Sequence, residues 1–233
     1  MKLDDLLQKT SRTFALAIPL LPEPTRHAVG IAYLLFRVAD TFEDATDWPR
    51  AKRIDALERF VDLLELPAAR QHTAATQLAT WSLETKPVQH AGYLELLGEL
   101  PALLNELTTL SPAMQDIVVK HTVRTAEGMA QVAARADERG NLRLASLKDL
   151  TDYCYIVAGI VGELLTDAFL LDVPGLSTQA TKLRAGMVAF GEGLQLVNIL
   201  KDAGDDARDG RVYLPPSVSR ADIFALARAD LDA

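Results

Sequence analysis

Apolar residues along the 233-residue chain recur at spacings of three and four rather than two. In "RIDALERFVDLLE", Ile54, Leu57, Phe60, Val61 and Leu64 share one face with charges between them, which predicts an amphipathic helix. "SPAMQDIVVKHTVRTAEGMAQVAARAD" opens on Ser111 and Pro112, an N-cap and a first-turn proline, and predicts a long helix. Ser146, with Asp149 three positions on, predicts another helix start before "LTDYCYIVAGIVGELLTDAFLL". Alternation of period two is confined to "RVYL", which Pro215 stops. Loops are expected around Trp48-Pro49, 66–74, 138–145 and 172–177. There is no internal repeat and no low-complexity tract. The expectation is an all-α fold, one domain over residues 1–233.

Two predicted helices carry polar stripes. At 100° per residue, Gln195, Asn198, Asp202 and Asp206 in "LQLVNILKDAGDDARDG" lie within about 80° of one another, with Asp205 on the flank. The opposite side is apolar, with Leu194, Val197 and Leu200. In "YLLFRVADTFED", Tyr33, Arg37, Asp40 and Asp44 share a stripe, with Glu43 beside it. One acidic quintet at a helix end usually means a solvated terminus. Two polar stripes running into apolar helices carry more, because a solvated end does not require Gln195 and Asn198. Facing carboxylate pairs can share Mg²⁺, which takes a few protein oxygens and completes its shell with water and substrate phosphate. Such a pair binds a diphosphate without a glycine-rich loop.

Charge and cysteine count narrow the classes. The net charge of −8 argues against nucleic acid as a partner. The single cysteine, Cys154, excludes a disulfide framework and points to a reducing, cytoplasmic compartment. His27, His72, His90 and His121 are scattered without zinc spacing; His121 and Cys154 read as packing residues. The acidic N-terminal stretch lacks the build of a signal peptide. The longest uncharged apolar runs reach about half of the ~20 residues of a membrane span.

Four stretches, "SRTFALAIPLLP" (11–22), "YLLFRVADTFED" (33–44), "YCYIVAGIVGELL" (153–165) and "LQLVNILKDAGDDARDGRVYLP" (194–215), resemble the squalene/phytoene synthase family in the family's order. The resemblance implies a single helical bundle around a central cavity, with two aspartate-rich motifs on opposing walls. It implies head-to-head condensation of two allylic isoprenyl diphosphates, through a cyclopropylcarbinyl diphosphate, to a linear product. By motif, Asp40, Glu43, Asp44, Asn198, Asp202 and Asp206 would hold Mg²⁺, for which Mn²⁺ can substitute. Asp205 stands where many members have glutamate. Ser11, Arg12, Phe14, Tyr33, Arg37, Gln195, Asn198, Lys201 and Arg211 would bind substrate or cofactor. Arg12 and Arg37 match positions that hold diphosphate and approach NADPH in the squalene synthases. Tyr153 matches a tyrosine expected to act in the first condensation, beside Arg37, Asp40, Asp44, Asp202 and Asp206. Ala158, Gly159, Gly162 and Gly128 would leave room for isoprenoid chains.

Family members continue for further helices after "RVYLP", so a bundle shortened at its C-terminus is expected. "DTFED" resembles the squalene-synthase form of the first motif, and "DARDGRVYLP" bacterial phytoene synthases. Farnesyl diphosphate to squalene, with NADPH, is favoured. Phytoene from geranylgeranyl diphosphate, a class I terpene cyclase or head-to-tail prenyl transferase, and a non-catalytic helical assembly protein stay open. A monomer or weak dimer is expected, with peripheral membrane association through apolar substrates.

Overall fold

A computed structural model describes residues 3–11 and 13–233; Arg12, expected at the diphosphate site, lies outside the described residues. The helices are α1 (Leu3–Thr10), α2 (Phe14–Ala17), α3 (Thr25–Glu43), α4 (Arg50–Glu65), α5 (Ala68–Thr85), α6 (Ala91–Gly98) and α7 (Leu100–Leu107). They continue with α8 (Pro112–Ala134), α9 (Leu147–Cys154), α10 (Ile160–Asp172), α11 (Ala180–Arg208) and α12 (Arg220–Asp232). Two-residue strands β1 (Leu142–Arg143) and β2 (Arg211–Val212) pair in parallel. The all-helical expectation holds.

Helix α3 is the axis. It packs against α1, α4, α6, α7, α8 and α10, which accounts for its apolar sequence on nearly every side. Ile31, Leu34, Leu35, Val38 and Phe42 are fully buried, and Phe42 meets Trp48 and Phe60 in an aromatic cluster. A smaller core under β1, β2 and α12 gathers Leu142, Tyr153, Leu196, Ile199, Tyr213 and Ile223. The helix starts at Ser111 and Ser146 form as expected: each hydroxyl accepts from the amide three residues on, and Asp149 completes a capping box. Ser219 and Asp222 repeat the device at α12.

Two expectations need correction. Residues 68–74 are not loop but the first turns of α5, which Pro67 precedes. "RVYL" has a partner: Leu142–Arg143 pairs with Arg211–Val212 inside the expected 138–145 loop. On the apolar side of α11, Leu194 and Val197 are exposed, while Leu196 and Ile199 are buried.

Helices α9 and α10 join through one π turn at Tyr155–Gly159 into a continuous helix, Leu147–Asp172. By length and composition that helix could cross a membrane, which an eye on uncharged runs overlooked. In this fold it packs between α8 and α11. Gly162 lines the apolar cavity, as expected, and glycines on this helix and its neighbours also allow the close approach. A Cβ on Gly162 would strike the Met187 carbonyl, one on Gly191 the Ala158 carbonyl, and one on Gly128 the Ile156 side chain. Helix propensity alone would make Gly162→Ala stabilising by about 1 kcal/mol. Because backbone must move, the expected result is a loss of about 1–3 kcal/mol instead, read as a lower melting temperature.

Candidate active site

The C-terminal half of α3 and the C-terminal half of α11 face each other across two joined cavities. One, of about 210 Å³, is apolar and includes Ile18, Val29, Phe36, Val161, Leu164 and Phe190 in its wall. The other, of about 330 Å³, is polar, bounded by Asp40, Glu43, Asp44, Asp202, Asp206 and Arg211 together with Tyr153 and Tyr213. Arg37, Asp40, Val157, Gln195 and Asn198 belong to both walls. An apolar chamber therefore adjoins an acidic one.

Arg37 stands at the junction. Its guanidinium ion-pairs with Asp40 at 3.2 Å, donates to the Tyr33 hydroxyl at 3.1 Å and lies 5.6 Å from the ring centres of Tyr33 and Tyr93. Tyr33 in turn donates to the Thr10 carbonyl at 3.0 Å. The ring of Phe14 lies against Tyr33, 5.4 Å between centres, and is partly open to solvent. Ser11 Oγ accepts from the amides of Phe14 and Ala15, so it caps the short helix α2.

Arg211 bridges the two motifs. Its guanidinium contacts Asp44, which caps the end of α3, and lies 3.6 Å from Asp206 and from Asp209. Strand β2 delivers this side chain, and most of it is buried. Lys201, by contrast, is exposed and pairs with Asp202 at 3.3 Å. Asp205 points outward to Arg208 and takes no part in the cavity wall. Of the expected residues, Tyr33, Arg37, Asp40, Glu43, Asp44, Tyr153, Gln195, Asn198, Asp202, Asp206 and Arg211 come together, whereas Lys201 and Asp205 stay outside.

Tyr153 is buried and borders the polar chamber. Its ring stacks on Tyr213 with 4.6 Å between centres, and its hydroxyl donates to the Tyr213 hydroxyl at 3.1 Å. Burial pushes both phenols well above the usual range, so each remains protonated. Sequence reading gave Tyr213 no role, although it lies inside the matching stretch 194–215. It also overlooked Tyr93, which nothing in the local pattern ties to Arg37. His121, read as packing, is buried in a polar chain instead: it meets Asp167 at 3.0 Å and Arg124, which pairs with Glu163. Burial lowers its basicity.

The carboxylates carry the imprint of their surroundings. Burial pushes the Glu43 carboxyl up to about 8, with Asp44 and Asp40 adding to the rise and Arg211 opposing it. Burial also pushes Asp40 up to about 6 against the pull of Arg37, and it raises Asp206 against Arg211. Among the described residues, no three acidic or histidine side chains converge closely enough to cage an ion unaided. The donor set still fits a hard cation: carboxylates and amides from two helices, crowded enough to hold protons, around a space wide enough for a phosphate to supply further oxygens.

A pH dependence follows. Raised carboxyls keep protons that the unfolded chain has released, so metal-free stability is expected to fall as pH rises from about 4 through 6 and towards 8. Melting in chelator at about pH 5 and about pH 8 checks the slope, and Glu43→Gln is expected to flatten it.

Comparison with known proteins agrees with the geometry. The chain is 33% identical over 218 residues to the squalene synthase of Eremothecium gossypii, covering 91% of this chain and 45% of that protein. To the squalene synthase of Schizosaccharomyces pombe it is 31% identical over 218 residues, with 91% and 43% covered. The chain thus spans about half the length of the curated relatives it matches. The solved complex of TcSQS with the ligand BPH1237 superposes with a TM-score of 0.71 at 28% identity, over 91% of this chain and 57% of that one. A dehydrosqualene synthase complex, at 21% identity and a TM-score of 0.51, shares the fold. The family model for squalene/phytoene synthase matches residues 7–231, and the chain belongs to the squalene/phytoene synthase family.

Proposed function

We infer that this chain catalyses head-to-head condensation of two allylic isoprenyl diphosphates with release of diphosphate. The observation that carries the reading is the junction of an apolar and an acidic chamber through Arg37, Asp40, Gln195 and Asn198. A prenyl diphosphate has the same two parts. Its tail would lie among Ile18, Phe36, Val161 and Leu164, and its diphosphate among the polar residues.

Asp40, Glu43 and Asp44 on one wall, and Asn198, Asp202 and Asp206 on the other, would hold Mg²⁺. Bound there, Mg²⁺ supplies charge neutralisation for a departing diphosphate. The protein's own residues do the rest. Arg37 and Arg211 are fixed cations within reach of the same space, each held by carboxylates that would exchange part of that contact for phosphate oxygens. Tyr153 presents a protonated hydroxyl and a ring face near the place where an allylic cation would form. The apolar wall keeps water from quenching that cation.

Squalene from farnesyl diphosphate is the product we favour, because both curated relatives named above are squalene synthases and "DTFED" has the squalene-synthase form. NADPH would be the hydride donor. Phe14, open at the cavity rim beside Tyr33, and Arg37 give a dinucleotide an aromatic and a cationic contact. Peripheral membrane association is proposed too, supported by the exposure of Leu16 and Leu20 on the segment that borders the apolar cavity. Diphosphate release from farnesyl diphosphate tests the core of the reading: release is expected with Mg²⁺ and none in excess chelator. Equal release in both conditions would remove the metal from the account.

A further inference from the structure

Arg53 lies on α4, away from both cavities, yet it is only 4% exposed. Its hydrogen bonds go to two main-chain carbonyls. One Nη donates to the Glu43 carbonyl at 3.2 Å and the other to the Gly140 carbonyl at 2.6 Å. Glu43 is the last residue of α3, so its carbonyl is among those a helix end leaves without an intrahelical partner, and the helix dipole favours a cation there. Gly140 has a φ of 88°, and a Cβ on it would collide with the guanidinium. Glycine thus lets the loop bring its carbonyl onto Arg53.

That loop runs straight into β1. The Leu142 amide donates to the Gly210 carbonyl at 2.9 Å and the Leu144 amide to the Val212 carbonyl at 3.0 Å, which fixes β2 with Arg211 between them. The Arg211 side chain then returns to Asp44. The connections close a ring: the end of α3, Arg53, Gly140, β1, β2, Arg211 and the end of α3 again. We propose that Arg53 is a positioning residue that sets where Arg211 and the second acidic motif stand relative to the first. It touches neither substrate nor metal; it acts through two backbone carbonyls. A planar guanidinium spans two acceptors at once, which a lysine ammonium does not reproduce.

The inference rests on the two motifs forming a metal–diphosphate site, and the test separates the two claims. Binding of Mn²⁺ in the presence of inorganic diphosphate is followed by loss of the free-ion resonance signal, together with amide exchange at Leu142 and Leu144. Arg53→Gln is expected to weaken Mn²⁺ binding by about tenfold to a hundredfold, as loss of an outer support does at metal sites, and to speed exchange at both amides. Arg50→Gln is the control. Its guanidinium grips the Ala136 carbonyl at 2.8 Å without reaching α3, and Mn²⁺ affinity is expected to stay unchanged. If Arg53→Gln loses helix content, Arg53→Lys, which keeps the charge and can reach one carbonyl, carries the same expectation. Unchanged affinity and exchange in the folded Arg53 variants would overturn this inference alone. Absence of Mn²⁺ binding by the unmutated chain would overturn the metal reading beneath it.

Discussion

Asp40→Asn and Asp202→Asn are each expected to lower turnover by about a hundredfold or more while helix content stays at the unmutated level. The two residues sit on opposite walls of the polar chamber, Asp40 beside Arg37 and Asp202 on the inner stripe of α11. Asparagine preserves shape and an oxygen but removes the charge that attracts a hard cation. For Asp40 the substitution also removes a carboxylate that burial already penalises, so stability in chelator is expected to rise slightly at neutral pH. Opposite signs for stability and activity are what a functional carboxylate gives. A merely structural one would lose both. Circular dichroism, melting in chelator and diphosphate release on the same preparations decide between them.

The second large effect concerns Tyr153. Tyr153→Phe removes one hydroxyl and its bond to Tyr213, a change of about 1 kcal/mol in stability, and leaves the stacked pair of rings in place. If the hydroxyl takes part in the first condensation, single-turnover rate is expected to fall by about a hundredfold, far more than the stability change explains. Tyr153→Leu removes the ring face as well and opens space in the smaller core, so it should melt lower by about 2–4 kcal/mol equivalent. Normal condensation by the phenylalanine variant with loss in the leucine variant would assign the role to the ring alone. Normal rates in both would leave Tyr153 a packing residue under the cavity.

The sequence made the helices legible where local signals were strong. Ser111-Pro112 and the Ser146–Asp149 box announce their helices chemically, and the three-and-four spacing of α4 can come from little else. The start of α5 was hidden because "AARQHTAAT" has no wide apolar stripe; Ala75 and Leu78 are buried once α4, α6 and α7 pack against the helix. The β1–β2 pair was half visible. Only "RVYL" alternates, while its partner lies nearly seventy positions earlier and pairs through backbone that composition does not advertise.

The site followed the same division. Asp40, Asp44, Asp202 and Asp206 were readable because i, i+4 spacing fixes a face, and the cavity lies on that face. Asp205 lies on the flank of that stripe, and its carboxylate turns to Arg208 and water. Tyr213, Tyr93 and Arg53 reach the site or its frame by tertiary contact, with no spacing rule linking them to the motifs. Gly162 was noticed for cavity room, and it does line the apolar chamber; its second role, letting α10 and α11 touch backbone to backbone opposite Gly191, needs the tertiary structure to be seen.

Product analysis tests the central claim most directly. The chain is incubated with Mg²⁺ and farnesyl diphosphate, or geranylgeranyl diphosphate, each with and without NADPH, and the hydrocarbons are resolved by mass. The account requires a head-to-head dimer of the prenyl donor, formed only with Mg²⁺, with squalene as the farnesyl product when NADPH is present. Cyclic monomers, a chain-extended diphosphate or unchanged substrate in every condition would contradict it.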